Sequence, residues 1–325
     1  MNIQTVDFSS LNNHVPDNAA FLCFASFEER SKSIAMALDK SKNIGAYIYF
    51  DPMYTLAESP NAISEGFSQY EIKEASVHDP IKIADSFAKD VARLAEDKIK
   101  NIIIDITTFT HEALLILLKI LYSYRRCFEH LVCSYTGAGS YGGETIPPEQ
   151  KWLSKGCKDV RNVLGYPGVL KPAAKTCLIV LAGFELERAT RLIELIEPDK
   201  IVIGNGIEPT NANHSGTMSY FRSRFEEWKN EYRGRNCETF DFSCKDILST
   251  VESIRQLIEK NPDDNYILVP LNTKLTTVAS ALLALQKPQI QLCYSIPEIY
   301  NTNSYSTPGD KITVFDLNSI ELFSQ

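Results

Sequence analysis

The sequence predicts an α/β protein made of two tandem Rossmann-like halves with mainly parallel sheets, related by an internal pseudo-twofold duplication. Three observations predict it. Short apolar runs alternate with stretches of helical periodicity along the 325 residues, the pattern that βαβ crossovers leave in a sequence. The order of these runs restarts near residue 174. The two passes also share acidic landmarks at one offset: Phe27-Glu28 and Phe184-Glu185 stand 157 positions apart, as do Asp51-Pro52 and Glu208-Pro209.

The first half is taken as residues 1–145. Ala20-Phe21-Leu22-Cys23-Phe24-Ala25 is an apolar strand, and Ser26-Phe27-Glu28-Glu29-Arg30 turns into a helix expected over 28–40. A second strand covers 44–50 and closes on Asp51-Pro52, and a short one lies near 70–72. Ile83, Phe87, Val91, Leu94 and Ala95 recur at helical spacing over 80–98. A buried strand at 101–106, a Leu-rich helix at 110–124 and a strand at 130–135 complete the half. Residues 146–173 read as a linker or a segment that covers a cleft, and 174–325 as the second half. There, strands are expected at 176–182, 200–203, 265–269 and 289–294, and helices at 183–197, 246–260 and 276–285. Thr108 matches Thr273 and Cys133 matches Cys293 at offsets of 165 and 160, which small insertions and deletions account for.

Composition removes several classes. The apolar fraction of 44% and charged fraction of 23% are those of a globular chain. Apolar runs are broken by Asp105, Thr107, Thr108 and Lys119 before they reach membrane-spanning length. The start, with Asp7 and no apolar run behind a basic segment, does not read as a secretory signal. The 8 cysteines form no CxxC pair, and with 5 histidines there is no zinc motif. His111-Glu112 has a leucine where a second metal-binding histidine would stand. Free thiols point to a reducing, cytoplasmic setting. A net charge of −8 argues against general binding to duplex nucleic acid. The basic stretch 222–235 carries Arg222, Arg224, Lys229, Arg233 and Arg235 among Glu226, Glu227 and Glu231, and reads as a solvated helix with ion pairs.

Ligands of parallel sheets bind beyond the carboxyl ends of the strands, and the pseudo-twofold is expected to bring two such sets to one cleft. Glu28, Glu29 and Arg30 open the first helix, with Glu185, Glu187 and Arg188 as counterparts. They either offset a helix dipole and pair with one another or contact a ligand, the carboxylates taking a hydroxyl or amino group and the arginines a phosphate. Asp51 and Glu208 close the second strands. Asp105-Ile106-Thr107-Thr108-Phe109-Thr110 follows the central strand and suits hydroxyls or a divalent ion, with Thr110 as a helix cap. Its counterpart, Asn272-Thr273-Lys274-Leu275-Thr276, adds a lysine and suits phosphate. Tyr135, Gly137 and Gly139 begin a glycine-rich stretch that either approaches a ligand or links the halves. Tyr300 and Tyr305, among amides, suit a nucleobase. No GxGxxG follows either first strand, so no nicotinamide or flavin cofactor is expected.

In Asp105-Ile106-Thr107-Thr108 and Asn272-Thr273-Lys274, and in overall architecture, the chain resembles Rossmann-like ligand sensors of the CARF and SAVED classes. The resemblance implies binding of a nucleotide-like phosphorylated ligand in prokaryotic antiviral defence, with a separately encoded effector as partner because no effector domain is visible. A homodimer is a further expectation. Two alternatives stand beside the sensor. One is a phosphoester or nucleotide hydrolase using Glu28, Glu29 or Asp105 as base or metal ligand with Arg30 and Lys274 on phosphate. The other is a non-catalytic interaction subunit. A divalent metal enters only with the enzyme.

Overall fold

The computed structural model describes residues 3–142, 146–147, 150–207, 215–232, 234–303 and 305–324, and for residues 215–221 the backbone only. The chain forms two compact units, Met1–Ser140 with Ser306–Gln325, and Tyr141–Tyr305.

In the first unit the chain runs through β1 (Gln4–Asp7), β2 (Ala19–Ala25), α1 (Ser33–Ala37), β3 (Gly45–Phe50), α2 (Ser59–Ser64), β4 (Gln69–Glu74), α3 (Pro80–Glu96), β5 (Asn101–Asp105), α4 (His111–Tyr124) and β6 (His130–Tyr141). Five parallel strands stand in the order β4-β3-β2-β5-β6. This is a doubly wound order whose topological switch lies between β2 and β5. β2 is buried at every residue, as a strand covered on both sheet faces must be. Phe21, Cys23, Ala25, Ile103 and Val132 share one core with Leu11 and Ile34. α3 starts on Pro80, with Asp79 accepting from the Lys82 amide, and buries Ile83, Phe87, Val91 and Leu94. The helix expected over 28–40 is instead a 3-10 turn at Glu29–Lys32 followed by five residues of α1. It stops because Leu38 turns extended and Asp39 accepts from the Ser41 amide to open a new turn.

The second unit opens with β7 (Ser154–Lys155) and β8 (Asp159–Pro167). It then repeats the alternation as β9 (Thr176–Leu181), α5 (Leu186–Ile196), β10 (Lys200–Gly206), α6 (Ser215–Glu231), β11 (Cys237–Phe242), α7 (Ile247–Lys260), β12 (Asn265–Pro270), α8 (Lys274–Gln286), β13 (Ile290–Ile296) and β14 (Ile299–Tyr300). Its parallel strands stand as β11-β10-β9-β12-β13, the order of the first unit, with β8 antiparallel beside β13. β7 and β14 make a separate antiparallel ribbon. Leu178, Val180, Leu192, Ile203, Phe225 and Trp228 belong to its core.

Strand register refines the repeat. Phe21 pairs with Ala46, and Leu178, 157 positions on, pairs with Ile201, only 155 beyond Ala46. Gly206 rather than Glu208 therefore stands where Asp51 stands. The register likewise sets Cys133 against Leu292, not Cys293. The helix caps Thr110 and Thr273 correspond, so Thr108 is not the partner of Thr273 and the first turn is one residue longer.

Two boundaries differ from the expected division. Residues 146–173 are not a linker, since they supply β7 and β8 to the second unit. Residues 306–325 return to the first unit, where β15 (Ser306–Asp316) lies between β1 and β6 and is followed by α9 (Glu321–Ser324). The cause is an apolar edge that needs a cover: Ile312 and Val314 enter the core around Phe21 and Leu11. Gly137 and Gly139 of the glycine-rich stretch lie inside β6 rather than in a loop. A Cβ at Gly139 would sit 2.6 Å from the Pro308 carbonyl oxygen, so glycine there permits close backbone approach between strands. Among the described residues no helix is long and apolar enough to cross a membrane.

Candidate functional site

The carboxyl ends of β2 and β5 flank the switch point of the first unit. Arg30 is 4% exposed there and is fully engaged: Nε and Nη2 donate to Glu28 Oε2 at 3.0 and 2.6 Å, and Nη1 donates to the Thr136 carbonyl at 3.1 Å. Ser306 Oγ donates to the same Glu28 oxygen at 2.5 Å. The pair is buried and self-neutralising. Asp105 is buried beside it. Its Oδ1 accepts from the Thr107 amide at 3.0 Å and from the Thr107 hydroxyl, which in turn accepts from the Thr136 amide at 3.0 Å. Asp105 Oδ2 and Thr136 Oγ1 have no partner. Burial pushes the Asp105 carboxyl up to about 7, against the pull of the Thr107 donors and the Arg30 charge.

The other first-unit candidates hold structure. Thr108 Oγ1 donates to the Phe24 carbonyl at 2.5 Å, tying the end of β2 to the turn after β5. Asp51 takes the Met53 and Val77 amides at 2.8 and 2.7 Å, so both of its oxygens are spent joining two loops. Glu29 is exposed and pairs with Lys32 at 2.9 Å. Tyr135 is buried within β6. Among the described residues no three His, Cys, Asp or Glu side chains converge as a metal-ligand set.

The switch point of the second unit is closed by its own backbone. Gly183 stands where Ser26 does, and a Cβ on it would lie 1.6 Å from the Leu271 carbonyl oxygen. Asn272 Nδ2 donates to the Ala182 carbonyl at 2.7 Å while its Oδ1 accepts from the Thr273 amide at 2.9 Å. Thr273 Oγ1 accepts from the Thr276 amide at 3.3 Å and donates to the Cys244 carbonyl at 2.9 Å; Thr276 Oγ1 donates to the Thr273 carbonyl at 2.8 Å. Thus the side chains expected to cradle phosphate, Lys274 aside, fasten the start of α8. Lys274 is half-buried at its first position. Glu208 lies outside the described residues.

A cavity of about 220 Å³ opens instead around the loop after β9. Lys151, Lys155 and Arg224 line it with the rings of Trp152 and Phe184, and Glu185 forms part of its wall. Lys155 Nζ lies 4.6 Å from the Trp152 ring centroid. Glu185 Oε1 accepts from the Leu153 and Ser154 amides at 2.8 and 2.7 Å, fixing β7 against the start of α5. Burial pushes its carboxyl up, opposed first by the charge of Arg188. Arg188 is 6% exposed, donates through Nη2 to the Ser295 carbonyl, and lies 5.2 Å over the Tyr294 ring centroid. Its Nε has no partner.

Sequence reading missed Lys151, Trp152 and Lys155 because they fell in the supposed linker, although two lysines flanking a tryptophan are themselves a signal. Arg224 belonged to a helix read as solvated. That helix, α6, is two-sided: Arg222 and Arg224 are exposed and Lys229 pairs with Glu226 at 2.5 Å, while Phe225 and Trp228 are buried.

No protein-family model matches the chain, and no curated protein sequence matches it. Solved structures offer remote likenesses. A PLP-bound threonine synthase from Brucella melitensis is 9% identical with a TM-score of 0.21, over 82% of this chain; the chain spans 63% of that protein's length. Two structures of the leucoanthocyanidin reductase–NADPH complex from Vitis vinifera are 11% and 12% identical, with TM-scores of 0.24 and 0.23. They cover 83% and 89% of this chain and 88% and 96% of theirs. At such scores these likenesses carry no weight for activity, and the Rossmann-like fold rests on strand order and parallel pairing.

Proposed function

We propose that this chain is a binding module for a nucleotide-like phosphorylated ligand and passes the binding event to a separate effector protein. One observation carries the reading: three cationic side chains and two aromatic rings line a single cavity at the carboxyl end of β9. Lys151, Lys155 and Arg224 suit phosphate, and Trp152 and Phe184 suit the face of a base. A volume of about 220 Å³ is smaller than an ordinary small-molecule pocket, so it holds part of a nucleotide and leaves the rest outside. The hydrolase alternative has less support, since Glu28 is committed to Arg30 and Ser306 and Asp105 is 1% exposed.

Calorimetric titration with AMP, ATP and adenosine tests this. AMP and ATP are expected to bind more tightly than adenosine, and Trp152→Ala and Lys155→Ala each to weaken AMP at least tenfold. An absence of heat with all three ligands, or full AMP affinity in both variants, overturns the reading. Conversion of ATP to product that is lost in Asp105→Asn replaces it with the enzyme.

A further inference from the structure

Among the described residues the buried Arg188 guanidinium has more donors than acceptors. A guanidinium carries five N–H donors, and in Arg188, among the described residues, Nη2 alone finds an acceptor, the Ser295 carbonyl. Among the described residues no carboxylate forms an ion pair with it. Glu185 is close enough to interact electrostatically, but Oε1 is occupied by two backbone amides and burial disfavours its ionised form. Tyr294 offers a ring face, and Tyr300 and Tyr305 stand near enough to feel the charge. Burial holds the Tyr300 phenol well above its ordinary range, so it supplies no counter-charge at neutral pH. A buried cation without a partner is a cost that a fold avoids, and the equivalent Arg30 avoids it through Glu28.

We infer that Arg188 is the receptor for an oxyanion, a phosphate group, which completes its hydrogen bonding and neutralises it on binding. The inference deepens the proposed function and rests on it for the identity of the anion, while the unmet Nε donor of the buried guanidinium stands independently. The β7–β14 ribbon pairs Ile299 with Lys155 and Tyr300 with Ser154, and the Glu298 and Asn301 amides extend it by donating to the Lys155 and Leu153 carbonyls at 3.0 and 2.8 Å. Ser154 and Glu185 also line the cavity, and Glu185 interacts electrostatically with Arg188, so the cavity and the guanidinium share the Glu185 carboxyl as a neighbour.

The test is thermal unfolding of the whole chain, wild type, Arg188→Gln and Arg188→Lys, with inorganic phosphate against KCl at equal ionic strength. Gln keeps a donor for the Ser295 carbonyl and removes the charge. Phosphate is expected to raise the wild-type midpoint beyond KCl, to do so partly in Arg188→Lys, and to have at least tenfold weaker effect in Arg188→Gln. Without phosphate, Arg188→Gln is expected to be at least as stable as wild type. A variant that fails to fold or melts lower without ligand makes Arg188 structural and overturns the inference, as does equal stabilisation of all three proteins. AMP separates the two readings. Phosphate dependence without AMP binding leaves the Arg188 receptor standing and removes the nucleotide; AMP bound equally by wild type and Arg188→Gln does the reverse.

Discussion

Arg30 and Arg188 follow the first parallel strand of their respective units, and each donates to a carbonyl of the last parallel strand, Thr136 in β6 and Ser295 in β13. Their charges meet different fates. Glu28 pairs with Arg30 at 2.6 Å, whereas Glu185 turns its oxygen to the backbone of β7 and Arg188 has no salt bridge among the described residues. The same divergence runs through the switch points. In the first unit Ser26 and Asp105 stand at the strand ends, and in the second Gly183 and the Leu271 backbone meet at a distance only glycine allows. One copy has kept polar groups and paired them internally; the other has closed its switch point and opened a cavity one loop away. Duplication of a backbone does not duplicate its chemistry.

The comparison is broken most strongly at Gly183. Gly183→Ser gives the second unit the residue of the first and drives a side chain into the Leu271 carbonyl, so a loss of about 4 kcal/mol or more is expected in urea unfolding. The reciprocal Ser26→Gly is expected to cost about 1 kcal/mol, mainly through backbone entropy.

Arg30→Gln comes next. It leaves Glu28, whose side chain is 9% exposed, without its cation, and about 3–5 kcal/mol of stability should be lost. Arg188→Gln should lose none, and an equal loss in both variants would erase the distinction.

The pH dependence sharpens it further. Asp105 titrates near 3.8 when unfolded and at about 7 when folded, so between these values the native state holds a proton that the unfolded chain has released. Stability is therefore expected to fall as pH rises from about 4 to about 7, by up to about 4 kcal/mol from this group. Glu185 adds a contribution of the same sign. Unfolding measured across this range should lose most of its slope in Asp105→Asn and some of it in Glu185→Gln. The smallest effect should be symmetric. Thr110→Ala and Thr273→Ala each remove an N-cap, and each should cost about 1 kcal/mol in the same measurement.

Much of the repeat was legible from residues alone. The apolar runs at β2, β5, β9 and β12 and the helical spacing of α3 depend on local composition and burial, which a sequence carries directly. β11 was not, since Cys237–Phe242 is half polar and gains its strand geometry from pairing with β10. β8 and β15 were hidden for a related reason: each is placed by a neighbouring edge far away in sequence. Asp51 illustrates how a correct landmark misleads, because its strand-end position was visible while the Val77 amide that consumes it was not.

By itself the sequence determined the class of fold, the alternation and strand content of the two copies, and the nomination of Arg30, Asp105, Glu185 and Arg188, because periodicity and residue type are local properties. Tertiary structure decided which of these groups are paired, that Asp105 keeps an unpartnered oxygen, and that Lys151, Trp152 and Lys155 share a cavity with Arg224. Those facts depend on distances between segments far apart in the chain, 106 residues for Arg30 and Thr136 and 107 for Arg188 and Ser295, and only the packed sheets set them.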